Sequence, residues 1–347
     1  MAEDVRIGVL GTGRIGAMHA ELIERQTPGA TVTAVFDVYA EGAERVGADV
    51  GARVAGSAAE LIESDDVDAV AICTSTDTHI DLLVAAAEAG KAVFLEKPLS
   101  LDLEQVQRGV AAVEAAGIDV QVGFNRRFDP SHKAVADAVA HGAVGDVHLC
   151  NITSRDPGPP PVEYIASSGG MFNDMTIHDF DMARYVTGSE VVEVFARGAN
   201  RVDPAIGEAG DIDTAVVLLT HESGAITTID NSRKATYGYD QRVEAFGANG
   251  MAGSANHHDF NAVLATGDGY RRPRLQDFFL ERYAQSYLDQ WAAFVAYVGG
   301  PVDAASPASG ADGRAPLVIG TAALRSMNEN RPVSIAEIES ENEQETS

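Results

Sequence analysis

The sequence predicts an α/β protein in which an N-terminal doubly wound parallel sheet is followed by an α+β domain with a large, mostly antiparallel open sheet. Three observations predict it. Short apolar runs alternate with amphipathic segments through residues 1–124, a glycine-rich turn follows the first of those runs, and beyond residue 125 the runs lengthen and begin to alternate with polar residues. A chain of 347 residues also exceeds what one core normally serves, so two domains are expected, with boundaries at 1–124 and 125–335.

In chain order, Val5 to Leu10, Val32 to Phe36, Ala69 to Cys73, Ala92 to Leu95 and Val120 to Gly123 read as buried strands. Between them, Ile15 to Arg25, Tyr39 to Val50, Thr78 to Ala89 and Leu101 to Ala116 read as crossover helices, with Asp77 before the third and Gly90 and Gly117 closing the last two. In the second part, Val144 to Thr153, Val191 to Ala199, Thr214 to Leu219, Ala225 to Asp230 and Arg242 to Gly247 read as strands with one wet face. Helices are expected over Pro130 to Ala140, Ile177 to Val186, Glu281 to Val298 and Ala315 to Asn328. The prolines of Arg155 to Pro161 require a loop, and residues 336–347 read as an acidic, disordered tail.

Charge excludes several functions. Asp and Glu total 52 against 25 Lys plus Arg, a net charge of -27, and only four of the cations are lysines, at 91, 97, 133 and 234. Such a surface repels nucleic-acid backbones and anionic membranes. No run approaches the length of a membrane-spanning helix, the N-terminus does not read as a signal segment, and two cysteines cannot build a disulfide framework. A cytoplasmic protein is expected.

Gly11-Thr12-Gly13-Arg14-Ile15-Gly16 follows the first strand and opens a helix. The first glycine serves the tight turn, the second lets a pyrophosphate approach the backbone, and the third lets helix and strand pack closely. Asp37, 21 residues after Gly16, stands where a ribose diol would be held. Its carboxylate repels a 2'-phosphate, and Val38, Tyr39 and Ala40 supply no arginine to offset it, so the cofactor expected is NAD rather than NADP.

Glu96-Lys97-Pro98 ends a strand at the carboxyl edge of the parallel sheet, where ligands of such sheets bind. Lys97 therefore points toward the cofactor, or else pairs locally with Glu96. Farther on, Asp174 and His178 share one face if the chain is helical from about Asp174, which makes a tunable acid/base pair. The competing reading is a helix-start carboxylate beside a core histidine. Asp179 and Asp181 follow, but the segment has no second histidine and no cysteine, so no metal site is read there.

GTGRIG, EKP and the segment Gly169 to Asp181 together resemble the glucose-fructose oxidoreductase/inositol dehydrogenase/MocA-like family over about residues 5–335. The stretches Gly123 to Asp129, Ser154 to Pro157, Tyr237 to Arg242 and Phe278 to Tyr283 are similar to those of its myo-inositol 2-dehydrogenase branch. The resemblance implies a Rossmann domain, then a domain whose open sheet supplies a wall of the substrate cleft and much of a tetramer interface, a dimer being the other assembly considered. It implies oxidation of a polyol hydroxyl, with Lys97 bonding that hydroxyl, Asp174 orienting Lys97 and substrate, and His178 as the general base. Asn125, Arg127, Asp156 and Tyr237 are candidates for ring-hydroxyl contacts, with a domain-junction salt bridge as the alternative for Arg127. Thr74, Ser75 and His79 are expected on the nicotinamide side together with Glu96 and Lys97. This turn lacks the proline of many relatives, however, which leaves His79 also readable as a helix-start residue.

The reaction expected is NAD-dependent oxidation of myo-inositol to its 2-keto form. Another inositol isomer, a hexose or a sugar acid is the alternative within that chemistry; an NAD-retaining glycoside hydrolase and a non-catalytic NAD-binding regulator are alternatives outside it. The acidity is indifferent to a neutral polyol and, with so few lysines, suggests adaptation to a high-salt cytoplasm.

Overall fold

The structure, a computed structural model, describes residues 4–300 and 307–345. It divides into two compact units: one holds the chain up to Asn125 together with Tyr287–Ala315, the other Arg126–Ser286 and the chain from Pro316 onward.

The first unit is built on six parallel strands, β1 (Val5–Leu10), β2 (Ala30–Phe36), β3 (Arg53–Val54), β4 (Ala69–Ile72), β5 (Ala92–Leu95) and β6 (Val120–Val122), in the order β3-β2-β1-β4-β5-β6. The order reverses between β1 and β4, which opens a crevice at their carboxyl ends. The crossover helices are α1 (Arg14–Gln26), α2 (Ala40–Val50), α3 (Ala58–Glu63), α4 (His79–Glu88) and α5 (Leu103–Ala116). The short pair β3 and α3 escapes sequence reading, because two strand residues and six helical ones are too few to show a period. Ile7, Val9, Ile23, Val35 and Phe94 form the core, and Trp291 and Phe294 of the returning segment complete it. Trp291 lies 4.4 Å from the Phe94 ring, and Val122 N–H donates to Ala308 C=O at 2.8 Å. Residues 287–315, which the sequence assigned to the second domain, therefore belong to the first unit; the pairing is across nearly 200 residues and leaves no local trace.

The second unit contains β7 (Val147–Arg155), β8 (Val191–Ala199), β9 (Thr214–His221), β10 (Ile226–Ser232), β11 (Asp240–Gly247), β12 (Gly250–Ser254), a separate hairpin β13 (Leu264–Thr266) and β14 (Gly269–Arg271), and β15 (Val333–Ser334). Seven strands form one sheet in the order β12-β11-β7-β10-β9-β8-β15. All its pairs are antiparallel except β7 with β10, so the sheet is mixed. Helices α6 (Pro130–Ala140) and α9 (Ile177–Thr187) pack on one face; α7 (Val162–Ser168), α8 (Gly170–Asp174), α10 (Pro204–Glu208) and α11 (Phe279–Arg282) are short connectors. The opposite face is open, and cross-strand register lines up Met251, Phe246, Leu149 and Ile226 in one exposed apolar row.

Three further expectations are corrected. The helix expected over Glu281 to Val298 is split into α11 and α12 (Ala284–Val298), and the next, α13, runs over Gly310–Glu329. The segment from Asp174 is not one helix: α8 ends at Asp174 and α9 begins at Ile177, because Thr176 turns its hydroxyl to Asn231 Oδ1 at 2.7 Å and its carbonyl accepts from Asp179 and Phe180. The acidic tail is helical over Ile335–Glu345 (α14), held by Arg325 and Arg331 on Glu337 and Glu341 and by the buried Ile338; residues 346 and 347 lie outside the described chain.

Candidate active site

The turn after β1 is built as its glycines require. Gly11 has φ +88°, and a Cβ there would stand 2.6 Å from the Cys73 carbonyl oxygen; a Cβ on Gly16 would stand 1.9 Å from Gly11 O. Around the Cβ position of Gly13, in contrast, nothing lies within 4 Å. Gly13 is also the N-cap of α1, which has neither a side-chain cap nor an acid in its first turn. The open ground beside Gly13, at the N-terminus of a helix with no acid in its first turn, suits a diphosphate.

Asp37 at the end of β2 accepts from Thr12 N–H at 2.6 Å, Thr12 Oγ1 at 3.0 Å and Tyr39 N–H at 2.9 Å. Partial burial pushes its carboxyl up, but these donors outweigh it and hold the group below the ordinary value. A carboxylate fixed in position and held ionised is what a ribose diol needs. Val38 and Tyr39 beside it are exposed. Gly13, the uncapped helix and Asp37 together fit NAD.

At the carboxyl ends of β4 and β5 the predicted residues divide into presenters and supports. Thr74 and Ser75 form the turn after β4, with Thr74 Oγ1 2.7 Å from Thr78 Oγ1. His79 is a support. Its ring is buried, Nδ1 lies 2.9 Å from Pro98 O and Nε2 3.1 Å from Thr74 O, so it ties this turn to the one after β5 instead of facing a cofactor. Burial lowers its pKa, against the pull of both carbonyls.

Glu96 is also turned inward. Its Oε1 lies 2.8 Å from His19 Nε2 and its Oε2 accepts from Lys97 N–H at 3.2 Å, while the Cβ position of Gly123 stands only 3.0 Å from the carboxylate. Trp291 Nε1–H donates to His19 Nδ1 at 2.9 Å. Because tryptophan can only donate, Nδ1 is the acceptor, and Nε2 carries the proton given to Glu96. This Trp291–His19–Glu96 chain beneath Lys97 escaped sequence reading. His19, three residues past the glycine loop, was its only local signal.

In the second unit Asp174 and His178 are both partly accessible while Met175, Thr176 and Ile177 between them are buried. Asp174 Oδ1 accepts from Tyr164 OH at 2.9 Å and Oδ2 from Arg233 at 3.2 Å. Tyr164 and Arg233 were not anticipated. Desolvation pushes the Asp156 carboxyl up to about 7; Arg233 and Arg126 oppose this, and Asp174 and Asp179 add to it. Tyr237 donates from its hydroxyl to Asp240 at 2.7 Å and accepts from Arg155 at 2.9 Å. Asn125, the last residue of the first unit, is buried.

Arg127 makes the salt bridge that was its alternative reading, though within the second unit: its guanidinium is buried and bidentate on Asp181, at 2.6 and 2.9 Å, and lies over the Tyr185 ring. Arg126 makes the matching buried pair with Asp179 at 2.6 Å. The two carboxylates that follow His178 are thereby committed to arginines.

Two family models match the chain. Residues 5–124 match the oxidoreductase family with an NAD-binding Rossmann fold, and residues 132–253 match the GFO/IDH/MocA C-terminal domain. The chain belongs to the GFO/IDH/MocA oxidoreductase family. Within it, the chain is 47% identical to the inositol 2-dehydrogenase of Rhizobium meliloti (strain 1021), over 96% of this chain and 99% of that one. It is 48% identical to the myo-inositol 2-dehydrogenase of Thermotoga maritima, again over 96% and 99%. Among solved structures it is similar to the scyllo-inositol dehydrogenase of Lactobacillus casei with bound NAD(H) and scyllo-inositol, at 30% identity and a TM-score of 0.89 over 96% of this chain and all of that one. As a member of this family with an NAD-binding Rossmann domain over residues 5–124, the chain uses NAD.

Proposed function

We propose that this GFO/IDH/MocA oxidoreductase oxidises a ring hydroxyl of a cyclic polyol, with myo-inositol converted to 2-keto-myo-inositol. The observation that carries the reading is the NAD cradle of Gly13 and Asp37 in a chain that also keeps Lys97, Asp174 and His178 and is nearly half identical to inositol 2-dehydrogenases over its length. NAD, when bound over Gly11 to Gly16 with Asp37 on its ribose, accepts the hydride. Thr74 and Ser75 line its nicotinamide side, and Glu96, held by His19, sets the turn that presents Lys97. Lys97 hydrogen-bonds the reacting hydroxyl, and Asp174 orients that hydroxyl. His178 takes the hydroxyl proton as the hydride departs, so proton and hydride leave the carbon–oxygen unit together and a ketone remains. Asn125, Asp156 and Tyr237 bind the other ring hydroxyls; an Asp156 carboxyl that titrates near neutrality can donate as well as accept.

The enzyme works in the cytoplasm, as a homotetramer joined through the open sheet face with its row of Met251, Phe246, Leu149 and Ile226. The chain, with 52 acids and four lysines in all, is adapted to high salt. The test of function is NADH absorbance with NAD and a panel of inositols, hexoses and sugar acids. Myo-inositol is expected to be the best substrate, and Lys97→Ala and His178→Ala to lose about 100-fold or more in kcat. No NADH from any member of the panel, with NAD bound to the folded protein, would refute the reading.

A further inference from the structure

Arg233 follows β10 directly and is only 1% exposed. Its guanidinium stands between two carboxylates, with Nη1 3.2 Å from Asp174 Oδ2 and Nη2 3.5 Å from Asp211 Oδ2. Burying a cation is costly, so an arginine in this place requires partners fixed in position.

The partners are fixed. Asp211 Oδ1 accepts from Met171 N–H at 3.0 Å, at the start of α8, and Gly170 leaves it room: a Cβ there would stand 3.0 Å from that oxygen. The Arg233 backbone N–H donates to Asp213 O at 2.8 Å. Two residues earlier, Asn231 accepts from Thr176 and donates to Asp179, which pins the end of β10 to the start of α9. Asp174 needs such a frame, because it closes α8, where the helix dipole disfavours a carboxylate, and the chain breaks helix immediately afterward. Tyr164 holds one of its oxygens and Arg233 the other. A planar fork can span two carboxylates in this way; an ammonium on a flexible stem cannot.

We infer that Arg233 is a positioning residue for the polyol oxidation, holding the Asp174 carboxylate in its working orientation with Asp211 as the anchor on the other side. The inference rests on the role given to Asp174 above. It accounts for a buried cation that the reaction itself does not use.

The experiment compares full-length wild type, Arg233→Lys, Arg233→Met, Asp174→Asn and the double variant Arg233→Met/Asp174→Asn. For each, kcat and KM for myo-inositol are measured, with the NADH dissociation constant and the isotope effect from myo-inositol deuterated at the reacting carbon. A displaced reacting group costs on the order of 100-fold, so Arg233→Met is expected to lose about that much in kcat, with an increased isotope effect. NADH affinity should stay within about two-fold, well inside one decade or 1.4 kcal/mol. Arg233→Lys is expected to fall between Arg233→Met and wild type, and the double variant to be no slower than Asp174→Asn alone. If Asp174→Asn is impaired while Arg233→Met and Arg233→Lys keep kcat within about three-fold, or if the two losses multiply in the double variant, the inference is overturned. If Asp174→Asn itself keeps wild-type kcat, the role of Asp174 falls first and the inference with it. Should Arg233→Met not fold, Asp211→Asn carries the test: about a ten-fold loss of kcat at unchanged NADH affinity supports the anchor, and unchanged kcat overturns it.

Discussion

Gly13→Ala separates cofactor binding from folding, because the structure leaves the new methyl group free of protein, on the ground proposed above for the diphosphate. Gly13 has φ -63° and ψ -170°, which alanine adopts without strain, and no heavy atom stands within 4 Å of its Cβ position. Two small terms then act on stability. Alanine restricts the unfolded chain, worth about 0.4–1 kcal/mol in favour, and is a poorer N-cap than glycine by a comparable amount. The net change is about zero. Binding responds differently, since an extra methyl in a close contact costs about 1–3 kcal/mol. At about 1.4 kcal/mol per decade the NADH dissociation constant should rise about 5- to 150-fold. Fluorescence titration reads this directly, and melts with NAD at 100 times the wild-type Kd read it again: about 2.7 kcal/mol of stabilisation in wild type falls to about 1.4 for a ten-fold weaker variant and about 0.4 for a hundred-fold weaker one. Gly16→Ala is the contrast, for its Cβ would meet Gly11 O at 1.9 Å and must damage fold and binding together. Wild-type NADH affinity in Gly13→Ala would refute the placement of the cofactor over α1.

His19→Ala removes a fully buried ring and leaves Trp291 Nε1–H and Glu96 Oε1 without their partner, which should cost about 3–5 kcal/mol in urea denaturation; a loss under about 1 kcal/mol would mean the chain from Trp291 to Glu96 does not hold that turn. Asp156, raised from 3.8 to about 7 by desolvation, contributes stability that is fully present below pH 3.8 and is lost as pH rises through 7. Asp156→Asn should therefore gain stability on wild type between pH 4.5 and 8, and a difference that stays flat with pH would contradict the raised carboxyl. Thermal melts from low to molar KCl should show wild-type stability rising with salt, as screening shortens to about 3 Å; a flat or falling transition would remove the high-salt reading of the surface.

How much could be read in advance follows from the range over which each feature is specified. The glycine loop and Asp37 were legible because a tight turn, an open approach and a close packing contact each demand glycine at one position in a row of six residues. The strands β4 and β5 were legible because both faces of a parallel sheet are covered, which writes an unbroken apolar run. Asp174 and His178 are proposed from residue type and spacing, and the continuous helix expected to align them is interrupted at Thr176, whose hydroxyl bonds a residue 55 positions away. For Arg127 the sequence left a ring-hydroxyl contact and a salt bridge both open, because the partner, Asp181, lies 54 positions off and sequence offers no test of that pairing.

By itself, then, the sequence determined the class of both sheets, the glycine turn after β1 and the use of NAD, since these rest on local periodicity and on what a missing Cβ permits. Only the tertiary structure decided that residues 287–315 return to complete the first core, that His19 joins Trp291 to Glu96, that Arg233 stands between Asp174 and Asp211, and that the acidic tail is helical over Ile335–Glu345. Each depends on groups distant in the chain finding one another, and for buried polar groups that pairing is set by desolvation, which acts only once the chain has closed around them.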